Sequence, residues 1–178
     1  MAEAFSNKLA RAVGVVTSST GGSIGITTNL ITGISTAGVT VADLVETGNY
    51  LAGTKVSSIG AGQVVVDRDS TNTAASSSQN VKFLTPHTLY TSTGLKTILI
   101  GGTFANNTNG QVGLTVEVTD NSASITVAVA SKIPVPAGSS FVISDTGKTL
   151  LESGDSIKIY CDTANAIDAN ISILTGVN

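Results

Sequence analysis

The sequence predicts an all-β protein, an antiparallel, jelly-roll-like β-sandwich with a second small β-barrel-like domain, and three observations carry that expectation. First, Leu114, Val116 and Val118 alternate with Thr115 and Glu117, and after Asp120 and Asn121 the pattern returns at Ile125, Val127 and Val129, as in a hairpin of period two. Second, Ile157, Ile159 and Cys161 share one strand face, and Ile167, Ala169, Ile171 and Ile173 answer them across a turn near Thr163 to Asn165. Third, Trp is absent, aromatics are 4% and Gly numbers 19, so the core is built of Val, Ile, Leu and Ala between tight turns. Two sheets bury such faces against each other.

Taken in order, residues 1–23 read as an N-terminal arm or first sandwich strand. Phe5, Leu9 and Val13 are spaced four apart, which suits one face of a short helix, but an isolated helix of that length is unstable. An edge strand or arm, ordered by docking on its own sandwich or on a neighbouring subunit, is the favoured alternative. Thr17 to Gly25 reads as a Ser/Thr/Gly linker. Residues 24–86 form a small inserted β module. Its expected strands are Leu30 to Ile34, Val39 to Val45, Lys55 to Ile59, Gln63 to Asp67 and Asn80 to Leu84, with Thr71 to Ser78 as a polar loop. The sandwich proper occupies residues 87–178. Its alternating stretch starts at Leu95, Asn106 to Gly110 is a turn, and Gly147 and Gly154 mark later turns. Pro134 and Pro136 cannot donate to a ladder, so that segment belongs at an edge or corner.

Charge and composition narrow the function classes. Net charge is −3 with no basic cluster, so the electrostatic footprint of a nucleic-acid binder is missing. No apolar run approaches the roughly 20 residues of a membrane-spanning helix, and the N-terminus lacks the apolar core of a signal peptide. Neither nucleic acid nor membrane is an expected partner. Cys161 is the single cysteine, beside Tyr160 and Asp162, which supply no activating base; it reads as core.

Motifs for chemistry are incomplete. Gly147-Lys148-Thr149 resembles the end of a phosphate loop, yet Val142 stands where the first glycine belongs, so a turn is expected. Asp67 to Asn72 begins like a calcium loop but has Asn72 and Ser78 where Gly and Glu are required; it reads as a solvated hairpin end. His87, the one histidine, lies beside Pro86 without a nucleophile elbow and reads as an exposed or interface residue. Asp162 and Asp168 flank a turn, with few aromatics to line a sugar cleft. No catalytic, cofactor-binding or metal residues are assigned, and no cofactor is expected.

Two resemblances add to this reading. Ile31 to Val45, Tyr50 to Ile59 and Gln63 to Asp67 together resemble a small β module common in bacteriophage structural proteins. Thr97-Ile-Leu-Ile-Gly-Gly-Thr-Phe-Ala-Asn-Asn-Thr, Ile133 to Ile143, Leu151 to Ile159 and Ile171 to Leu174 resemble a β-sandwich family of small tailed-phage virion proteins, cyanophage-like, as do Phe5, Asn7, Arg11 and Gly14 at the start. The resemblance implies a first strand shared with the C-terminal sandwich and a module inserted after it. It also implies a non-enzymatic virion protein, made in the host cytoplasm, that serves assembly at the head-to-tail neck, collar or tail. Capsid decoration is the alternative, and a tail-fibre or glycan-recognition module, using loops 71–78 and 106–110, comes third. Expected partners are identical subunits in a ring or trimer and other virion proteins of head, neck or tail. The residues expected to make assembly contacts are Phe5, Leu9 and Arg11.

Overall fold

The structure is a computed structural model that describes residues 3–94, 96–143 and 148–177; Leu95, where the alternating stretch was expected to start, and the expected turn at Gly147 lie outside the described residues. The described strands, in chain order, are β1 (Ala4–Val13), β2 (Val15–Ile24), β3 (Leu30–Thr32), β4 (Leu44–Glu46), β5 (Val56–Gly60), β6 (Gln63–Val66), β7 (Ser76–Thr85) and β8 (His87–Thr91). They continue as β9 (Lys96–Asn106), β10 (Val112–Asp120), β11 (Ile125–Val135), β12 (Ser140–Ile143), β13 (Thr149–Leu151), β14 (Ser156–Cys161) and β15 (Ile167–Val177). The chain divides into two units, one made of Met1–Gly14 with His87–Asn178 and the other of Val15–Pro86.

The first unit is an antiparallel sandwich. One sheet runs β1-β15-β9-β12, with β13 on the same edge of β9 as β12; the other runs β11-β10-β14-β8. If β12 and β13 are counted as one interrupted strand, each sheet has four. Every connection then crosses between sheets except the β10–β11 hairpin, which is the strand order of a jelly roll. β14 and β15 therefore do not form a hairpin. They lie in opposite sheets, and Ile157, Ile159 and Cys161 meet Ile167, Ala169, Ile171 and Ile173 across the core. Phe104 and Phe141 stack within that core with ring centroids 6.3 Å apart. Gly102 makes room for it: a Cβ there would stand 2.8 Å from Ile171 Cγ2.

One expectation for this unit needs correction. Ile125, Val127 and Val129 are exposed, because β11 is an edge strand and its register on β10 slips between Val116 and Glu117, leaving Val129 as a bulge. Pro134, by contrast, sits where its missing donor costs nothing, on that same edge strand. Of the alternatives open for the N-terminal segment, the structure has an edge strand of the sandwich and not a short helix. That strand is β1, paired antiparallel with β15 from Ala4↔Thr175 to Val13↔Ile167.

The second unit is a six-stranded antiparallel sheet in the order β4-β7-β2-β3-β6-β5. The ladder is not a closed barrel; its two end strands approach through one bridge, Leu44↔Lys55. Backbone bonds from Val45 N to Thr54 O (2.8 Å) and from Val56 N to Asp43 O (2.9 Å) flank that bridge. The Thr17–Gly25 stretch, expected as a linker, is instead the interior strand β2, held between β7 and β3. It has few apolar side chains because its neighbours supply them. A Cβ on Gly22 would lie 3.2 Å from both Ile34 Cγ2 and Val81 Cγ2, so those side chains close over bare backbone. Of the Val39–Val45 run only Leu44 and Val45 enter a strand, whereas β7 begins at Ser76, inside the expected loop. The core comprises Ile24, Ile31, Val64, Val66, Val81 and Phe83 with others. Tyr50 lies against it, its hydroxyl donating to Thr28 O at 3.1 Å; burial foremost, with the Asp69 charge, pushes its pKa up to about 12.

Candidate assembly interface

Strand parity decides which residues of β1 are available to a partner. Ala10 packs toward the sandwich core, so Phe5, Asn7, Leu9 and Arg11 point to the outer side. Regular alternation would carry Val13 out with them. It is buried because β1 bulges after Ala10: Ala12 takes φ of 54°, and its N–H donates to Asp168 Oδ1 at 2.8 Å. The spacing of Phe5, Leu9 and Val13 thus places two residues outside and one in the core. The structure puts all three expected contact residues, Phe5, Leu9 and Arg11, on one exposed face.

That face continues across the sheet. Phe5 is directly opposite Leu174, Leu174 opposite Ile98, and Ile98 opposite Leu150, giving one apolar row across β1, β15, β9 and β13. Leu99, Leu151 and Ile173, next in sequence, fill the core on the other side. A second row runs Leu9, Asn170, Thr103 and Val142 across β1, β15, β9 and β12. Exposure is 76% at Phe5, 75% at Leu9, 56% at Val142 and 49% at Leu150. Between the second row and the β1 bulge lies an open groove of about 580 Å³, lined by Leu9, Arg11, Thr103, Ala105, Asp168 and Asn170 among others. At the opposite end Lys96 Nζ stands 3.9 Å from Glu152 Oε1, an exposed pair that adds little stability.

Sequence reasoning reached the β1 end of this face and missed Leu174, Ile98, Leu150 and Val142. A signal for all four is present. Ile98-Leu99-Ile100, Phe141-Val142-Ile143, Leu150-Leu151 and Ile173-Leu174 put apolar residues on both faces of a strand, which strict alternation would not do.

The remaining candidates occupy structural positions. Asp67 Oδ1 accepts from Lys55 N at 2.9 Å, and Ser70 Oγ donates to Gly25 O at 2.8 Å, so the incomplete calcium loop ties turns together. His87 is exposed at the start of β8, opposite Ile159. Cys161 is buried, its thiol 3.2 Å from Thr163 O. Asp168 holds the β1 bulge and Asp162 accepts from the Thr163 hydroxyl. Among the described residues no cluster of three His, Cys, Asp or Glu side chains is placed to hold a metal ion.

No protein-family model matches the chain, and no curated protein sequence matches it. Among solved structures it is similar to a chain in a structure of the Gx strain of infectious bursal disease virus, with 13% identity and a TM-score of 0.36. A chain in a structure of the Gt strain of that virus gives 10% and 0.33. In both, 96% of this chain is covered, and the chain spans 55% of the length of the other. Likeness of that degree fixes neither fold nor role.

Proposed function

We propose that this protein is a non-enzymatic virion structural protein of a tailed bacteriophage, an accessory assembly component at the head-to-tail neck, collar or tail. The observation that carries the reading is the row Phe5, Leu174, Ile98 and Leu150 on the outer face of a sheet whose inner face already has a complete core. Contiguous apolar side chains aimed at solvent from adjacent strands mark an interaction surface. Jelly rolls serve capsid and lectin domains alike, so the fold alone does not choose the role. The resemblance of Thr97 to Thr108 and of Ile133 to Ile143 to small phage virion proteins favours the particle.

Quantitative mass spectrometry of purified virions, scaled to the major capsid protein, tests the reading. On the order of 5 to 20 copies supports a cyclic neck, collar or tail assembly. Hundreds of copies replace it with capsid decoration, and absence from the particle overturns the virion role.

A further inference from the structure

We infer that the outer face of the β1-β15-β9-β12/β13 sheet is an isologous interface, and that its occupant is the same face of a second copy of this chain. The inference deepens the assembly reading above by naming the partner of that face.

The pattern of residues across the sheet is the ground for it. Read from β1 outward, the first row is apolar at all four places: Phe5, Leu174, Ile98, Leu150. The row at Leu9 is apolar, polar, polar, apolar: Leu9, Asn170, Thr103, Val142; between the two rows Asn7, Ser172 and Gly101 add no apolar side chain. Both rows read the same in either direction. A two-fold axis lying in the interface, parallel to the strands and between β15 and β9, exchanges β1 with the β12/β13 edge and β15 with β9. Under that operation Phe5 meets the second copy's Leu150, and Leu174 meets its Ile98. Leu9 meets Val142 and Asn170 meets Thr103, so in these two rows apolar faces apolar and an amide faces a hydroxyl. Arg11, at the far end of β1, falls over the edge that carries Ser140, so the cation is not set against itself. An axis perpendicular to the strands would instead lay the apolar row against the end bearing Arg11 and Asp168.

The size is adequate. Three strands of 10 or 11 residues with the shorter β12 and β13, about 4.8 Å apart, present roughly 600 Å². A standard interface takes about 800 Å² from each partner. Packing two such faces is the ordinary sheet-on-sheet arrangement, with side chains interdigitating across about 10 Å.

Thiol cross-linking tests the axis directly. Positions 5 and 150 of one copy, and the two residues at position 5 of copies related by the axis, lie at least about 14 Å apart, whereas positions 5 and 150 of different copies face each other across about 10 Å. When the full-length Phe5→Cys and Leu150→Cys variants are mixed and treated with a short bismaleimide that spans about 10 Å, a covalent dimer is expected on a denaturing gel. The pair Leu9→Cys and Val142→Cys should do the same, whereas Phe5→Cys alone should give at least tenfold less. Sedimentation should show wild-type protein as a dimer, and Ile98→Asp, whose circular dichroism reports whether the sheet is intact, as a monomer. A monomeric wild type, or cross-linking no better for the matched pairs than for Phe5→Cys alone, overturns the inference. The two readings fail separately. A dimer absent from virions would sink only the particle role, and a monomer found in virions would sink only the two-fold contact.

Discussion

The two units solve the same problem by different means. In the sandwich, strands of up to 11 residues bring apolar side chains to a common core, with bulges resetting the alternation, and those side chains themselves hold the sheets together. In the Val15–Pro86 unit three of the six strands have only three or four residues, and side chains bonded to backbone complete what the ladders leave open. Asp43 takes Thr40 N at 2.8 Å and the Thr40 hydroxyl at 2.6 Å, Asp67 takes Lys55 N, and Ser70 joins Gly25 to Thr28. Long strands store their information in periodicity; short ones store it in individual polar contacts. The first kind can be read along a sequence, and the second cannot without knowing which turns meet.

The largest expected effect separates the two cores. Phe104 and Phe83 are each fully buried, in different clusters. Replacing either by Ala should cost about 3–5 kcal/mol. Amide hydrogen exchange should localise the loss, with Phe83→Ala accelerating exchange in residues 15–86 and Phe104→Ala in the sandwich. Uniform acceleration by either variant would mean that the units unfold as one.

The next effect asks whether the sandwich also relies on a polar keystone. Asn106 is buried at the end of β9, and its amide donates to Gly110 O at 2.7 Å, Val135 O at 2.9 Å and Pro136 O at 3.2 Å. Its carbonyl oxygen accepts from Thr108 N and the Thr108 hydroxyl. Asn106→Ala strands several of these groups and should lower stability in urea by about 2–3 kcal/mol. A change under about 0.5 kcal/mol would show that water replaces the amide.

A smaller effect belongs to the other unit alone. Tyr50 ionises in the unfolded chain near 10 and in the folded chain near 12, so the neutral phenol is favoured by folding. Its contribution is intact below about pH 10 and is lost as pH rises toward 12, because the unfolded state releases its proton first. Thermal stability of the Val15–Pro86 unit should therefore fall over that window, and less steeply in Tyr50→Phe. Identical slopes would remove Tyr50 as the cause. The smallest effect is at the exposed edge: Ile125→Thr should stay within about 0.5 kcal/mol of wild type by thermal melt, since its side chain lies outside both cores.

The same contrast explains what was legible. Ile157 to Cys161 and Ile167 to Ile173 announced their strands and buried faces by period two, although not that they belong to opposite sheets, since pairing partners are set by topology rather than by adjacency. β2 was unreadable because Gly22 is interior through the closeness of Ile34 and Val81, which no local pattern encodes. In the candidate interface, Phe5 and Leu9 stood out as apolar residues at the chain start. Val142 did not, since the three consecutive apolar residues of Ser-Phe-Val-Ile do not say which of them face inward. Val13 misled for the opposite reason: one residue with a left-handed backbone, Ala12, moves everything after it to the other side.

The pairing of Ala4 with Thr175 has a temporal consequence. β1 leaves the ribosome before β15 and has no neighbour to bind until that strand, the last one described, has followed it. The proposed contact face takes residues from both, so a nascent chain cannot display it. Copies emerging side by side on one message are thereby kept from associating through this face until β15 of each has emerged.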